Sequence, residues 1–132
     1  MKPLDPWDDA AEIATRLHRP GSVLMVLIGA EAWCQKCRDL RPHFDALRTQ
    51  LPANVVALWM DLEEHAEFLG EYVPESLPEL CIYRSRKLSQ KTILDGSLAS
   101  LQTALQAPPV LSFNHISDPG LFQRLVQDDW AM

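Results

Sequence analysis

The sequence is short of the features that mark several classes of protein. It has 12 Lys and Arg against 18 Asp and Glu, for a formal net charge of -6, whereas proteins that bind a phosphate backbone need clustered basic residues. Its longest apolar run, Val23 to Ile28, has six residues, far fewer than the roughly 20 that span a bilayer. These shortages predict a protein that binds neither nucleic acid nor membranes.

Secretion signals and disulfide scaffolding are also missing from the sequence pattern. The first ten residues, MKPLDPWDDA, lack the basic start and apolar core of a signal peptide. Only three cysteines occur, which is too few for the disulfide framework of a small secreted domain. We therefore expect a cytoplasmic protein, in which a Cys-x-x-Cys pair is more often catalytic or metal-binding than structural.

What is present is the pattern of one globular domain in which helices alternate with buried strands. The chain has 132 residues, of which 47% are hydrophobic, enough for a core. Apolar residues at helical spacing alternate with short continuous apolar runs. Helices are predicted over residues 8–18, 34–51, 62–70 and 98–105, and strands over 23–28, 54–60, 80–83 and 92–94. This order predicts an α/β fold whose last two strands form an antiparallel hairpin. We assign residues 1–106 to this domain and 107–132 to a C-terminal extension with a short helix.

The segment EAWCQKCRDLRP at residues 31–42 carries the clearest chemical signal. Cys34 follows a buried strand and begins a helix, where free N–H groups and the helix dipole stabilise a thiolate. Cys37 lies one turn later on the same face, so it can resolve a mixed disulfide formed by Cys34. Lys36 adds a positive charge that favours the thiolate.

Two other interpretations of the cysteine pair compete with a redox site. A zinc site needs two more ligands, and the sequence has no second Cys-x-x-Cys and no closely spaced His pair, although Cys81 and four histidines are available. The pair could also be two small buried residues of the core. Cys81 itself lies in an apolar strand and is expected to be an inert core thiol.

The motif and its surroundings resemble the thioredoxin superfamily. Trp33, Cys34 and Cys37 match the Trp-Cys-x-x-Cys active site, and Pro42 matches the proline that kinks the following helix. The Leu77-Pro78 dipeptide precedes a strand, as the cis-proline loop does in that family. The resemblance covers the chain from the first helix to about Gln106. It implies a thioredoxin-like fold, with a central mixed sheet of four or five strands flanked by helices.

The resemblance also implies the roles of individual residues. Cys34 would be the nucleophile and Cys37 the resolving thiol, with no cofactor and no metal. The Leu77-Pro78 bond would be cis and would expose the Leu77 backbone to an extended substrate. The substrate groove would be lined by Trp33, Ser76, Leu77, Pro78 and Gly96. The implied partners are protein disulfides and an electron-donating reductase or dithiol, and we expect a monomer.

The sequence departs from the family at the buried acid that serves the resolving cysteine. Counting back from Cys34, the position of the usual Asp holds Ile28, and the position of its Lys partner holds Ala57. Glu79, directly after Pro78, is the candidate substitute, the alternative being a solvated or salt-bridged Glu. The predicted function is therefore a thiol–disulfide oxidoreductase, and the alternative is a thioredoxin-fold binding or assembly module with little redox turnover.

Overall fold

The structure is a computed structural model that describes residues 4–6, 8–69, 72, 74, 76–106 and 119–127, with only the backbone described at 67 and 68. The described residues form these elements in chain order: α1 (Ala10–Leu17), β1 (Val23–Gly29), α2 (Gln35–Arg48), β2 (Val55–Asp61), α3 (Ala66–Leu69), β3 (Glu79–Arg84), β4 (Lys87–Ile93), α4 (Leu98–Gln106) and α5 (Leu121–Leu125).

The strands form one mixed sheet in the order β2-β1-β3-β4. β1 pairs in parallel with β2 and antiparallel with β3, and β3 pairs antiparallel with β4. β1 and β2 are apolar at nearly every position because both of their faces are covered. The predicted α/β architecture, with a mixed sheet flanked by helices and an antiparallel hairpin at its end, is confirmed.

The strand register divides the side chains between two faces of the sheet. On β1, Gly29 pairs with Asp61 and Leu27 pairs with Trp59, and paired residues point to the same face. Trp59 packs against Phe44 of α2, with ring centroids 6.1 Å apart, so this is the face that α2 covers. α4 lies on the same side, since Gln90 of β4 donates from Nε2 to the Ala104 carbonyl at 2.5 Å. Gln90 pairs with Ile82 of β3, and Ile82 pairs with Met25 of β1, which shares a face with Leu27.

The opposite face carries the intervening residues of β1 and their partners. Ile28 pairs with Glu79 and Leu24 with Tyr83. Tyr83 lies 6.2 Å from the Phe122 ring of α5, measured between centroids, and its hydroxyl accepts from the Leu121 N–H at 3.3 Å. Because α5 also contacts α1, both of these helices lie on this side.

The helices follow the apolar spacing of the sequence, except at α3. α1 buries Ala10, Ile13, Ala14 and Leu17, the stripe that predicted it. The helix predicted over 62–70 is reduced to Ala66–Leu69, because residues 62–65 form turns in which Oδ1 of Asp61 accepts from the N–H of Glu63 at 2.9 Å. Within the described ranges, no helix combines the length and hydrophobicity needed to traverse a bilayer.

The hairpin between β3 and β4 is tighter than the sequence predicted. The predicted strands 80–83 and 92–94 leave eight residues between them, but in the structure Arg84 already pairs with Lys87. Ser85 and Arg86 between them have φ values of 53° and 67°, as in the two-residue turns that suit hairpins. β4 therefore starts at Lys87 rather than at Thr92. Its first half carries the buried polar residues Ser89 and Gln90, so it lacks the apolar run by which a strand is predicted from sequence.

The C-terminal extension includes α5, which is buried through Leu121, Phe122 and Leu125. Residues 107–118 and 128–132, which hold the rest of the predicted extension, lie outside the described residues. α4 ends at Gln106.

At Gly29, β1 lies close to Trp59 of β2 and to Cys37 of α2. A Cβ atom built at Gly29 would lie 2.6 Å from Cζ2 of Trp59 and 3.3 Å from Cβ of Cys37. Trp59 is 3% exposed, so its ring has little room to move away. A side chain at position 29 would therefore displace packed atoms.

We predict that Gly29→Ala lowers the free energy of unfolding by about 1–3 kcal/mol, the usual cost of overpacking a core. The clash is with the larger ring of Trp59, so the same substitution should cost less in a Trp59→Phe background. Urea unfolding of both single variants and the double variant measures this coupling. Strictly additive losses would contradict the steric explanation.

Candidate functional site

The predicted site residues meet at one end of the sheet. β1 runs to Gly29 and continues through a short loop to Cys34. β3 begins at Glu79, opposite Ile28 near the end of β1, so the Leu77-Pro78 dipeptide lies at that same end. β4 also ends there, and Gly96 follows it.

The two cysteines of the motif differ in accessibility. Their sulfur atoms are at disulfide-bonding distance and their Cα atoms are 5.3 Å apart. Cys34 is half-buried, whereas Cys37 is 0% exposed. Cys34 is the N-cap of α2, and its Sγ accepts from the Cys37 N–H at 3.2 Å. A reagent from solvent can therefore reach Cys34 first, and the start of α2 supports negative charge on that sulfur.

The exposed residues around the pair leave its entrance open. Trp33 is 62% exposed and Lys36 is exposed. Gly96, with φ +93°, lies against the motif, since a Cβ atom there would be 2.8 Å from the Lys36 carbonyl oxygen. Only glycine combines this backbone conformation with such a close approach. The loop after β4 therefore borders the dithiol.

The Leu77–Pro78 peptide bond is cis. Leu77 and Pro78 are buried and Ser76 is exposed. The Pro78 carbonyl accepts from the Leu94 N–H at 2.9 Å, which ties this loop to the end of β4. These contacts place Ser76, Leu77 and Pro78 beside the Gly96 loop.

The loop that leads to Cys34 is held by a set of polar contacts that the sequence does not predict. The Glu31 N–H donates to Oδ2 of Asp61 at 3.0 Å, and the Glu31 carbonyl accepts from Arg38 at 2.7 Å. The Glu31 carboxylate pairs with Arg41 at 2.6 Å. No local pattern signals these pairs, because their members are far apart in sequence or on different elements.

The strands beneath Cys37 present few groups that could take its proton. A Cβ atom at Gly29 would lie 3.3 Å from Cβ of Cys37, so Gly29 faces Cys37, and the alternation of the strand turns Leu27 towards this face and Ile28 away from it. Ile28, which the sequence places at the position of the usual acid, therefore points away from Cys37. Leu27, which points towards Cys37, is apolar as well. Ala57 does lie on the Cys37 side, paired with Met25.

Asp61 is the acid that β1 and β2 carry on the Cys37 side of the sheet. Its two carboxylate oxygens already accept from backbone N–H groups, Oδ2 from Glu31 and Oδ1 from Glu63. These bonds fix the loop before Cys34 and the turn that follows β2. It is therefore committed to structure rather than poised for proton transfer.

Glu79 is not placed to serve the dithiol. It pairs with Ile28, so it shares the face that points away from Cys37. Its side chain is 2% exposed, accepts a hydrogen bond from the Tyr72 hydroxyl, and lies 3.9 Å from Sγ of Cys81. The geometry does not support the hypothesis that Glu79 replaces the missing acid. It is neither solvated nor next to Cys37, but part of a buried cluster behind the cis-proline loop.

His65 makes a hydrogen bond with the backbone of Asp61. Its Nδ1 accepts from the Asp61 N–H at 2.8 Å, which requires the neutral ring with the proton on Nε2. Burial lowers the pKa of His65, and the nearby carboxylates of Asp5, Glu64 and Asp61 do not overcome that effect. The ring therefore stays neutral near pH 7 and keeps its acceptor atom for Asp61.

Among the residues that the structure describes, no group of three or more His, Cys, Asp and Glu side chains is arranged to hold a metal ion. Cys81 is buried and lies outside the Cys34–Cys37 disulfide, in agreement with its expected place in the core. The chemistry that the described site offers is that of the Cys34–Cys37 pair.

Three comparisons relate the chain to known proteins. Residues 12–107 match the sequence model of the family described as Thioredoxin. A protein described as a putative thioredoxin from Arabidopsis thaliana is 27% identical over 90 residues, 68% of this chain and 55% of the relative. The chain thus spans about half the length of that curated relative.

Solved structures agree with the fold at low sequence identity. The germline-specific thioredoxin Deadhead from Drosophila melanogaster superimposes with a TM-score of 0.61 at 15% identity, covering 80% of this chain and 96% of that one. A thioredoxin f2, solved in complex with ferredoxin:thioredoxin reductase, gives 0.54 at 16% identity, covering 80% and 91%. Likenesses at this identity speak for the fold alone.

The orientation of Glu79 leads to a first prediction about the site. General acid–base residues typically contribute about 10²–10⁴-fold to a rate, so Glu79→Gln should change the rate of disulfide reduction by less than about twofold. The same variant should unfold at a lower urea concentration, because it alters a buried hydrogen-bonded cluster. Insulin reduction with dithiothreitol measures the rate. A large loss of rate with unchanged stability would instead show that Glu79 takes part in the reaction of the dithiol.

The tautomer of His65 leads to a second prediction. Burial holds the pKa of His65 in the folded chain below the ordinary value of about 6.5 for histidine, so the unfolded chain binds more protons just below pH 6.5. The stability that neutral His65 contributes is fully present above that pH and is lost as pH falls through the folded pKa.

Urea unfolding between pH 7.5 and 5 should therefore show a decline that His65→Asn reduces. His18→Asn, which changes an exposed histidine, is the matched control and should keep the decline. Equal pH profiles for the wild type and His65→Asn would refute the assignment.

Proposed function

Because this chain belongs to the thioredoxin family, we propose that it is a thiol–disulfide oxidoreductase acting on protein disulfides through Cys34 and Cys37. The observation that carries the proposal is the unequal burial of the two cysteines. Cys34 is half-buried at the start of α2, and Cys37 is fully buried at disulfide-bonding distance from it. This asymmetry suits one attacking and one resolving thiol.

The reaction proceeds by two thiol–disulfide exchanges. The Cys34 thiolate attacks one sulfur of the substrate disulfide, a new S–S bond forms, and the other substrate sulfur leaves as a thiolate that takes up a proton. Cys37 then loses its proton, and its thiolate attacks Sγ of Cys34. The second substrate sulfur leaves, and two electrons have passed from the cysteine pair to the substrate.

Three features favour Cys34 as the thiolate. Its sulfur accepts from the Cys37 N–H, it caps a helix of 14 residues, and Lys36 follows within the motif. Backbone N–H groups, the helix dipole and a nearby cation each lower the pKa of a thiol. Cys37, which is buried one turn later, lacks the exposure needed for the first attack.

An extended segment of the substrate would bind beside the pair. The cis Leu77–Pro78 bond and Ser76 lie at the same end of the sheet as Trp33 and Gly96, and the exposed Trp33 ring supplies an apolar contact. Main-chain pairing at Leu77 would hold the segment, as in recognition by strand addition.

The pair must be reduced again after each turnover. A dithiol or a thioredoxin reductase would do this, and the likeness to a thioredoxin solved with its reductase supports a protein donor. No cofactor is needed for either exchange. We further propose a monomer that works in the cytoplasm, where the few cysteines of the chain fit a reducing compartment.

A binding module without turnover is the second candidate. It is favoured by the apolar lining beneath Cys37, where Leu27 and Ala57 lie on the strands, and by the commitment of Asp61 to two backbone N–H groups. Without an acceptor for the Cys37 proton, resolution of a mixed disulfide would be slow.

The central prediction concerns the cysteine variants. Cys34→Ser should reduce the rate of insulin reduction with dithiothreitol to the uncatalysed rate, because the accessible nucleophile is lost. Cys81→Ser is the matched control, since Cys81 is buried in β3 outside the Cys34–Cys37 disulfide, and it should retain the rate. Full activity of Cys34→Ser would overturn the proposed function.

A trapping experiment separates the two candidate functions. Cys37→Ser should capture protein partners through a mixed disulfide that dithiothreitol releases, and a Cys34→Ser, Cys37→Ser double variant should capture none of them. Equal capture by both variants, unaffected by dithiothreitol, would instead identify the binding module.

A further inference from the structure

Arg38 directly follows Cys37 on α2, and neither exchange step gives it a role. It is exposed, yet its guanidinium contacts the chain on both sides of Cys34. Nη1 donates to the Glu31 carbonyl at 2.7 Å, and Nη2 donates to Oε1 of Gln35 at 2.7 Å. Long side chains of a helix lean towards its N-terminus, so this guanidinium lies beside the start of α2.

The two acceptors of Arg38 belong to different parts of the site. Gln35 lies on the same helix, and its amide is oriented from a second side, because Nε2 donates to Oδ1 of Asp39 at 2.7 Å. Glu31 lies in the loop before the helix, seven residues from Arg38. A contact within one turn of a helix stabilises only that turn. The contact with Glu31 instead fixes the loop relative to α2.

The same loop is held from its other side by β2. The Glu31 N–H donates to Oδ2 of Asp61 at 3.0 Å, and Asp61 is buried. Both backbone groups of Glu31 are thus engaged, one by the end of β2 and the other by Arg38. The loop is also compact, since the Cys34 N–H donates to the Ala30 carbonyl at 2.9 Å. Loss of the guanidinium would free the side of the loop that faces α2.

The position of the Cys34 sulfur depends on how this loop meets the helix. Cys34 is the N-cap, with extended backbone angles of φ −105° and ψ 107°, and its Sγ accepts from the Cys37 N–H at 3.2 Å. Only this junction brings the sulfur to the free N–H groups of the first turn. Arg38 spans the junction, because its two acceptors precede and follow Cys34.

The charge of Arg38 differs in its surroundings from that of Arg41, one turn later. Arg41 pairs with the carboxylates of Glu31 and Asp45 at 2.6 and 3.1 Å, which offset its charge. Both acceptors of Arg38 are neutral oxygens. Its positive charge therefore acts at the start of α2, where it favours a thiolate at Cys34.

We propose that Arg38 is a positioning residue of the dithiol, which holds the Cys34 sulfur at the Cys37 N–H and so favours its thiolate. Arg38 acts through the backbone on both sides of Cys34 and not on the substrate. The inference rests on the proposed role of Cys34 as the nucleophile. Its test needs neither a disulfide substrate nor turnover.

Alkylation of Cys34 by iodoacetamide measures its thiolate, which is the reactive form of a thiol. The full chain is reduced, and the modified cysteine is identified by mass spectrometry between about pH 5 and 9. Arg38→Gln should slow alkylation of Cys34 near pH 6 about two- to fivefold, the scale of exposed charge interactions and hydrogen bonds. The rates should converge at the alkaline end, because the thiol is then ionised in both proteins.

Two further variants separate position from charge. Arg38→Lys keeps the charge, but an ammonium group lacks the planar fork that contacts both acceptors, so its rate near pH 6 should fall between those of the wild type and Arg38→Gln. Arg16→Gln removes the same charge from α1, on the opposite side of the sheet, and should leave the rate unchanged. Urea unfolding verifies that each variant is folded.

Three results would overturn the proposal. One is an Arg38→Gln variant that is alkylated like the wild type near pH 6. Another is full recovery of the rate in Arg38→Lys, which would leave only an effect of charge. The third is equal slowing by Arg16→Gln, which would indicate a general effect of net charge. Failure of the proposed function is a separate result, since it would appear as insulin reduction by Cys34→Ser.

Discussion

The pairing of β1 with a strand on each side is the constraint from which the rest of the site follows. Its register sets Gly29 against Trp59 and Cys37, and it sets Ile28 against Glu79. Because alternate residues of a strand point to opposite faces, one strand separates the dithiol from the buried cluster around Glu79. A slip of one residue would exchange the two faces and bring a carboxylate beneath Cys37. Close packing at particular positions opposes such a slip, as where Gly29 leaves room for Trp59 and Cys37.

The dithiol is arranged by backbone and burial more than by neighbouring charged side chains. The start of α2, the Cys37 N–H and the depth of Cys37 distinguish the two thiols. Carboxylates near the loop are used as acceptors for backbone N–H groups, with His65 holding Asp61 from behind. In a site built in this way the helix start and burial, rather than a neighbouring acid or base, make the two thiols unequal.

Polar groups buried away from the dithiol divide into a satisfied set and an unsatisfied set. The cluster around Glu79 and Tyr72 is bonded internally, and such clusters orient a core at some cost in stability. Among the residues that the structure describes, Nε1 of Trp59 and Nε of Arg48 are buried donors that make no hydrogen bond. The difference shows why burial of polar groups has to be judged atom by atom.

The sequence alone determined the order of elements, the dithiol at a helix start and the family to which these belong. Apolar periodicity, the spacing of Cys34 and Cys37, and the place of Leu77-Pro78 are local patterns, and local patterns can be read directly. Which residues of different elements face one another was decided only by the tertiary structure. The turning of Glu79 away from Cys37, the Asp61–Glu31 clamp and the contact of Arg38 with the Glu31 carbonyl all depend on strand register and on contacts between distant segments. The physical reason is that these contacts result from packing whole elements together, which leaves no periodic trace along the chain.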